Sequence, residues 1–508
     1  MYRSAPISFD TRSRSAARSH AARVGWQRSS KAAKIQERQR MLKDFLPESA
    51  WEPRWNNQEA VNRQPNQTST QRNINAGCIN DAIRVIDVSL AYGKIFPSHG
   101  AISLPMLDET TDSTAFHVAQ FLGTFIWPTV GGHIAAYQWF QDFCTSRVLF
   151  HSQSAASATY RDLMAGKPSI SMTRRNFLHK LEAIREIRSS LTRWHMVSKP
   201  EREQVIFAIL ILASHEVKEK DFLETTSPFS AYFPVASHLN LWGRTDPIDA
   251  HDDAAFSLIE KEGGIEALES PGLAPMASFV DLLRACTYLR QPRFPCLWEP
   301  YVPDVTAFYL STVDSTITGL SGSGFALLSR DLPREATMVF MEAAYLDQLF
   351  NHFRSNNMVD LNILFGMRNT TLHRLLSLEI STTEPDQPPT NRNLYNILRI
   401  ACTIYCNAVM LAIPPHNGWL NTQSAALQKA LKGFSLDICE DAHRNAYLWV
   451  LFVGGVASRG TFKHLFFKRL LQECVQKWNF SWRDFRNGLK TFIWTSIVCD
   501  SEARLLWN

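Results

Sequence analysis

The residues of this chain that could do chemistry are scattered, beginning with its nine cysteines. No two cysteines are two residues apart, and no run of Cys and His has the spacing of a zinc finger. Cys402 and Cys406, four residues apart in an apolar segment, are predicted to be small buried hydrophobic residues rather than metal ligands. An odd, unpatterned set of cysteines favours a reducing compartment.

Histidines beside carboxylates are a second kind of candidate. Three places put them within two residues of each other: His215–Glu216, His251–Asp252–Asp253 and Asp441–His443. Such isolated groups are predicted to be surface groups or satisfied core groups. The acids after His251 are predicted to start a helix, because negative charge is favoured at a helix N-terminus. For an internal catalytic pocket, the groups to inspect are His238, His443 and His464.

Glycine motifs give no better candidate. The chain has no phosphate-binding Gly-Lys-Ser loop and no GxGxxG motif at the start of a helix. SGSGF at residues 321–325 follows no predicted strand and is predicted to be a turn. GLSGSG is one residue short of a nucleophile elbow. We therefore predict no catalytic residue, no metal site and no cofactor, and we do not expect an enzyme.

Positive charge is concentrated in residues 1–44, which we call the basic arm. The arm has eleven Lys or Arg and three acidic residues, a net +8, whereas the whole chain carries +5. It is predicted to be disordered, because it is polar and has few large aromatic residues, namely Tyr2, Phe9 and Trp26. Four roles stay open: a solvated tail, a nucleic-acid contact, a nuclear import signal or an organelle presequence. The residues predicted to contact nucleic acid or an import receptor are Arg12, Arg14, Arg18, Arg23, Arg28, Lys31 and Lys34.

No segment of the sequence predicts a membrane location. The first 30 residues have no apolar core of a signal peptide, and the longest apolar runs are about half of the roughly 20 residues that a membrane-spanning helix needs. We expect a soluble intracellular protein with no membrane partner.

The rest of the chain has helical periodicity, and period-2 strand patterns are hard to find. We predict a basic arm and linker over residues 1–77 and a helical domain over residues 78–508. The fold class is all-α, with helices stacked as antiparallel hairpins and a disordered N-terminal arm. Pro200 and Glu201 are predicted to open an almost wholly apolar, central helix. Further helices are predicted near residues 276–289, 336–353, 357–379, 391–412, 423–432 and 443–457.

Two apolar faces are predicted from spacing alone. In the charged segment 173–197, the inward face is predicted to consist of Phe177, Leu181, Ile184, Ile187 and Leu191. Near the C-terminus, one apolar stripe that would form the floor of a large core is predicted from Trp482, Phe485, Leu489, Phe492 and Val498.

Four stretches in a fixed order resemble the fungal-specific transcription-factor domain proteins. They are AARSHAARVGW; ILASHEV…HLNLW…EKEGGIEALESPGL…DLLRA…PRFP; LRIACTIYCNAVM with LQKAL; and YLWVLFVGGVAS…SWRDFRNGLKTFIW…CDSEARLLW. The resemblance covers roughly residues 12–30 and 200–508. In that family a helical domain usually follows a two-zinc, six-cysteine cluster that binds DNA. Here the first cysteine is Cys78 and the cluster is missing, so no zinc ligand is transferred.

The resemblance implies a nuclear regulatory protein that lacks its own zinc-cluster DNA-binding domain. Its expected partners are proteins of the transcription machinery, with weak, non-specific DNA contact through the arm. The alternatives are a cytoplasmic helical scaffold or adaptor unrelated to transcription, and an enzyme whose helical body encloses a cavity.

Overall fold

A computed structural model describes a large part of the region that follows the basic arm. The described residues are 142–143, 145–165, 170–217, 226–233, 239–298, 321–356, 361–379, 389–432 and 440–508. Of this part of the chain 74% is helical and none of it is strand, which confirms the all-α prediction. The basic arm, the linker and the part of the predicted helical domain before residue 142 lie outside the described residues.

The described part of the chain is a succession of helices. In chain order they are α1 (Arg147–Ala165), α2 (Ile170–Thr192), α3 (Lys199–Ala213), α4 (Leu239–Trp242), α5 (Asp249–Lys261), α6 (Leu273–Tyr288), α7 (Ser323–Leu327), α8 (Arg334–Asn356), α9 (Leu361–Ser377), α10 (Pro389–Tyr405), α11 (Trp419–Leu431), α12 (Asp441–Ala457), α13 (Lys463–Lys477), α14 (Trp482–Leu489) and α15 (Ser496–Trp507). A π-helical turn, Cys406–Met410, extends α10.

Successive helices pack on one another as hairpins. The pairs α1–α2, α8–α9, α10–α11 and α12–α13 are each in extensive contact. Short connections force neighbouring helices to run back along each other, so these pairs are the predicted stacked antiparallel hairpins.

The core has two large apolar clusters that share one helix. The N-terminal cluster is built mainly from α1, α3 and α5, and the C-terminal cluster from α8 to α15. Helix α6 contributes Ala277 and Val280 to the first cluster, and Phe279, Leu282 and Leu283 to the second. Because α6 is buried on both sides, it joins the two clusters.

Helix α3 starts and packs as its sequence predicts. Ser198 and Glu201 form a capping box, with Pro200 in the first turn. Every residue from Val205 to Ala213 is buried, so this helix is central to its cluster. Even so, none of the helices in the described ranges combines the length and the apolar character that crossing a membrane requires.

The predicted inward face of α2 is wrong in part. Ile187 is buried, but Phe177 is 59% exposed and Leu181 and Leu191 are each 40% exposed. The buried face instead has His179, Ala183 and Ile187 at four-residue spacing. The buried side of α2 therefore includes the small residue Ala183 and excludes Phe177.

The predicted C-terminal stripe is divided between two helices and a turn. Phe485 and Leu489 belong to α14, Phe492 lies in the turn that follows, and Val498 belongs to α15. These four are buried in the C-terminal cluster and Trp482 packs against it partly buried, so the stretch lines a large helical core but does not form one helical stripe. The turn is stabilised because Trp449 Nε1 on α12 donates to the Ile493 carbonyl at 3.0 Å.

Candidate functional site

The SGSGF segment, at first sight a candidate loop, is a packed structural turn. Gly322 N and Ser321 Oγ both donate to the Phe492 carbonyl, at 3.0 and 2.6 Å. Gly324 N donates to the Thr491 carbonyl, and a Cβ on Gly324 would lie 2.7 Å from the Phe492 ring. The glycines therefore allow two distant segments to approach closely, and they do not form a substrate loop.

A fully buried carboxylate, Asp347 on α8, is the centre of a polar cluster in the C-terminal core. Its Oδ1 accepts hydrogen bonds from the hydroxyls of Tyr232 at 2.9 Å and Tyr405 at 3.0 Å, and its Oδ2 accepts one from Thr495 at 3.0 Å. Tyr232 and Thr495 also hydrogen-bond to each other. Four segments far apart in sequence are thus joined through one side chain.

The charge state of Asp347 is set by its surroundings. Burial raises its pKa to about 7, although the three hydroxyl donors favour the ionised form. Burial, followed by the nearby Asp347 carboxylate, raises the pKa of both tyrosine hydroxyls. The side chains of the cluster are enclosed in the core, so its geometry is that of a structural network.

Arg368 on α9 is a buried cation without an acidic partner among the described residues. It is 3% exposed, and its Nε and Nη2 donate only to Asn369 Oδ1, each at 3.1 Å. Its guanidinium lies over the Phe365 ring at 4.6 Å. Burial lowers its pKa to about 9, so it remains charged at neutral pH. A guanidinium in this state has the chemistry to bind an anion.

Arg284 on α6 is equally buried but is surrounded by carboxylates. It lies 2.7 Å from Asp249, 3.4 Å from Asp252 and 3.4 Å from Asp253. Helix α5 begins at Asp249, and of the two acids predicted to start it, Asp252 lies in the first turn and Asp253 directly after it. These acids therefore start a helix and neutralise Arg284.

Two histidines that sequence reasoning did not select contact each other between α1 and α2. His151 Nδ1 and His179 Nδ1 are 3.0 Å apart, and the two rings are tilted by 40°. Burial, followed by the nearby His179, lowers the pKa of His151 to about 4. His151 is therefore neutral at neutral pH, and one of the two facing nitrogens donates a hydrogen bond to the other.

Two carboxylates and one imidazole lie together near the start of α12, and we call them the Asp331–Glu440–His443 triad. His443 Nε2 lies 3.3 Å from Asp331 Oδ2, and His443 Nδ1 lies 3.2 Å from Glu440 Oε2. One ligand atom from each residue lies within 4.8 Å of the others. The sequence suggested Asp441 as the neighbour of His443, but Asp441 instead pairs with Arg444 at 3.2 Å.

The remaining candidates have structural roles or lie outside the described residues. His215 packs on the Tyr160 ring, and His464 Nδ1 lies 2.9 Å from the Gly455 carbonyl. Cys402 and Cys406 are buried thiols whose pKa is raised by burial, as predicted for small hydrophobic residues. His238 is outside the described residues, as are the predicted contacts of the arm: Arg12, Arg14, Arg18, Arg23, Arg28, Lys31 and Lys34.

Comparison with known proteins adds no relative. No family model, no curated protein and no solved structure matches the chain.

Proposed function

We propose that this chain is a nuclear regulatory protein of the transcription-factor type that lacks its own zinc-cluster DNA-binding domain. In this proposal the helical body binds a protein of the transcription machinery or a small ligand. The basic arm supplies nuclear import or weak, non-specific contact with nucleic acid.

The observation that carries the proposal is that the C-terminal stretches behind the resemblance pack against one another. The stretch YLWVLFVGGVAS forms most of α12, and its Phe452 ring lies 5.2 Å from that of Trp494 in the stretch SWRDFRNGLKTFIW. LRIACTIYCNAVM forms the end of α10 and the π-helical turn, where the Tyr405 hydroxyl lies 3.8 Å from Cys499 Sγ of CDSEARLLW. These stretches, which are separate in the sequence, thus pack together in one helical core.

The charge distribution supports different roles for the helical body and the basic arm. The arm carries a net +8 within a chain whose total is +5, so residues 45–508 carry a net −3. A cationic segment of this kind binds phosphates by releasing counterions, and it is also the type of segment that import receptors bind.

The test is the location of the full chain in cells with and without residues 1–44. We expect the fluorescently tagged full chain to accumulate in nuclei, the truncated chain to spread through the cytoplasm, and the arm alone to carry a reporter into nuclei. A control truncation removes residues 45–77 and keeps the arm. A full chain that stays cytoplasmic, with an arm that imports nothing, would contradict the proposal.

Nucleic-acid contact by the arm has a separate test. Binding of the full chain to duplex DNA should weaken steeply as salt rises, show little sequence preference, and fall when Arg14, Arg18 and Arg23 are replaced by alanine. Binding that is insensitive to salt, or that survives the triple replacement, would leave import as the role of the arm.

An exposed apolar face on α2 favours a second candidate, a helical scaffold or adaptor. Phe177 is 59% exposed and the neighbouring Leu178 is 53% exposed. Side chains of this size bind well when a partner covers them. Partner capture with the wild-type chain and with Phe177→Ser separates the candidates: transcription proteins retained by both support the first, whereas unrelated complexes lost with Phe177→Ser support the second.

A further inference from the structure

We propose that the Asp331–Glu440–His443 triad is a binding site for one divalent first-row transition cation such as Zn²⁺. The inference does not depend on the proposed nuclear function. It rests on the kind of ligand atoms, on their separation and on the rigidity of the backbone that carries two of them.

The ligand atoms suit a borderline metal ion. Imidazole nitrogen and carboxylate oxygen are both zinc ligands, and three protein ligands with an open position for water is a common zinc arrangement. Ca²⁺ takes six to eight oxygen ligands and Mg²⁺ requires an octahedron of oxygens, so neither fits one imidazole and two carboxylates as well.

The separations suit one shared ion. In a tetrahedral site with metal–ligand bonds of about 2.0 to 2.2 Å, neighbouring ligand atoms are about 3.3 Å apart. His443 Nε2 and Asp331 Oδ2 are 3.3 Å apart. The two ring nitrogens cannot bind the same ion, so we assign Nε2 as the ligand. Glu440, whose side chain is 76% exposed, has the freedom to turn an oxygen towards that ion.

Two of the three ligands stand on backbone that the core fixes. Asp331 lies in the turn between α7 and α8, and its neighbours Leu328 and Leu332 are buried. His443 lies in the first turn of α12, three residues before the buried run that begins with Ala446 and Tyr447. Because Nε2 and Oδ2 are held before any ion arrives, little ordering is needed on binding.

Positive charge near the site opposes a cation but is partly offset. The N-terminus of α12 carries the positive end of its helix dipole, and Arg444 lies one residue from His443. Arg444 forms an ion pair with Asp441, an acid outside the triad. The two carboxylates of the triad supply the negative charge that the ion meets directly.

The role inferred for the ion is to join the α7–α8 turn to the start of α12. These two segments are more than a hundred residues apart in the chain, and α7 packs on α12 beside the triad. An ion that binds only the folded arrangement stabilises it by mass action.

The test uses the full-length protein, with accessible thiols alkylated so that Zn²⁺ uptake reports nitrogen and oxygen ligands. Isothermal titration with Zn²⁺ should show one site, and His443→Gln and Asp331→Asn should each weaken it at least about tenfold. Asp441→Asn is the matched control, because it removes a carboxylate from the same helix turn but outside the triad; its affinity should stay within about twofold of wild type. Mg²⁺ at the same concentrations should not bind.

A second measurement distinguishes a loss of Zn²⁺ binding from poor folding of a variant. Zn²⁺ should raise the thermal midpoint of wild type and of Asp441→Asn but not of His443→Gln. Glu440→Gln changes an exposed side chain, so it keeps the fold and should lower the affinity by itself. If wild type binds no Zn²⁺, or if Glu440→Gln and His443→Gln both bind it as wild type does, the triad is an ion-pair network and the proposal fails.

Discussion

At the scale of single residues, Arg368 and Arg284 are equally buried but differ in what surrounds them. Each is 3% exposed. Arg284 lies close to three carboxylates, whereas Arg368 has an amide oxygen and an aromatic ring. A buried charge is stabilised only when opposite charge and hydrogen bonds replace the lost water. The two arginines are therefore a matched pair for measuring the cost of an uncompensated charge.

We predict that Arg368→Met leaves the free energy of unfolding unchanged or raises it, because methionine is of similar length and removes the cost of burying the charge. We predict that Arg284→Met lowers it by about 3 to 5 kcal/mol, because it leaves carboxylates unpaired. Urea unfolding followed by circular dichroism measures both. If Arg368→Met lowered the free energy of unfolding as much as Arg284→Met does, an anion would have to neutralise the Arg368 guanidinium in solution.

At the scale of helices, the crossing of α12 and α13 depends on a glycine. A Cβ built on Gly454 of α12 would lie 2.2 Å from Cε1 of Phe467 on α13. Phe467 is fully buried, so its ring has little room to move. Gly366 in the middle of α9 offers a comparison, because nothing lies within 4 Å of a Cβ built there.

We predict that Gly454→Ala lowers the free energy of unfolding by about 1 to 3 kcal/mol, the usual cost of overpacking a core. Gly366→Ala should raise it by about 0.5 to 1 kcal/mol, because alanine restricts the unfolded chain and favours a helix. Thermal unfolding of both variants and of wild type measures the two changes in stability, which should have opposite signs. Equal effects of the same sign would contradict the crossing geometry.

Helix positions are the part of this structure that sequence predicts best. The start of α3 follows from Pro200 and Glu201, and the end of α5 from Gly263 and Gly264, which both have positive φ, because caps and prolines act locally. Helix α13 was not predicted, because it is strongly charged and its buried side consists of Phe467, Leu471 and Cys474 only.

Contacts between helices were beyond sequence reasoning. The spacing of apolar and polar residues along α2 does not show that Ala183, rather than Phe177, packs into the N-terminal cluster. Likewise, His443 meets Asp331 only because α7 packs on α12. Neighbours in the sequence suggested Asp441 instead, and no pattern relates residues so far apart.

At the scale of the whole molecule, buried titratable groups make stability depend on pH in opposite directions. Burial raises the pKa of Asp347 and of Asp252 to about 7, so the folded state binds protons that the unfolded state has released, and stability falls as pH rises from about 4 to 7. Burial lowers the pKa of His151 and His215 to about 4, so stability rises between about pH 4 and 6.5. The two effects oppose each other over much of this range.

We predict that comparison with Asp347→Asn isolates one of these groups. The free energy of unfolding of wild type minus that of the variant should fall by about 2 to 4 kcal/mol between pH 4 and 8 and then level off. Tyr405→Phe should move the midpoint of this fall to higher pH, because its hydroxyl stabilises the ionised carboxylate. Urea unfolding at half-unit pH steps measures this difference in stability. A difference that does not change with pH would contradict the raised pKa of Asp347.

The turn at Ser321 constrains how the chain can fold during synthesis. Its hydrogen bonds to Phe492 and Trp494 join residues 171 and 173 positions apart. A growing chain cannot complete this junction until the segment around residue 494 has left the ribosome. Until then, α7 and α8 expose apolar side chains, so chaperones have an opportunity to bind the nascent chain at these two helices.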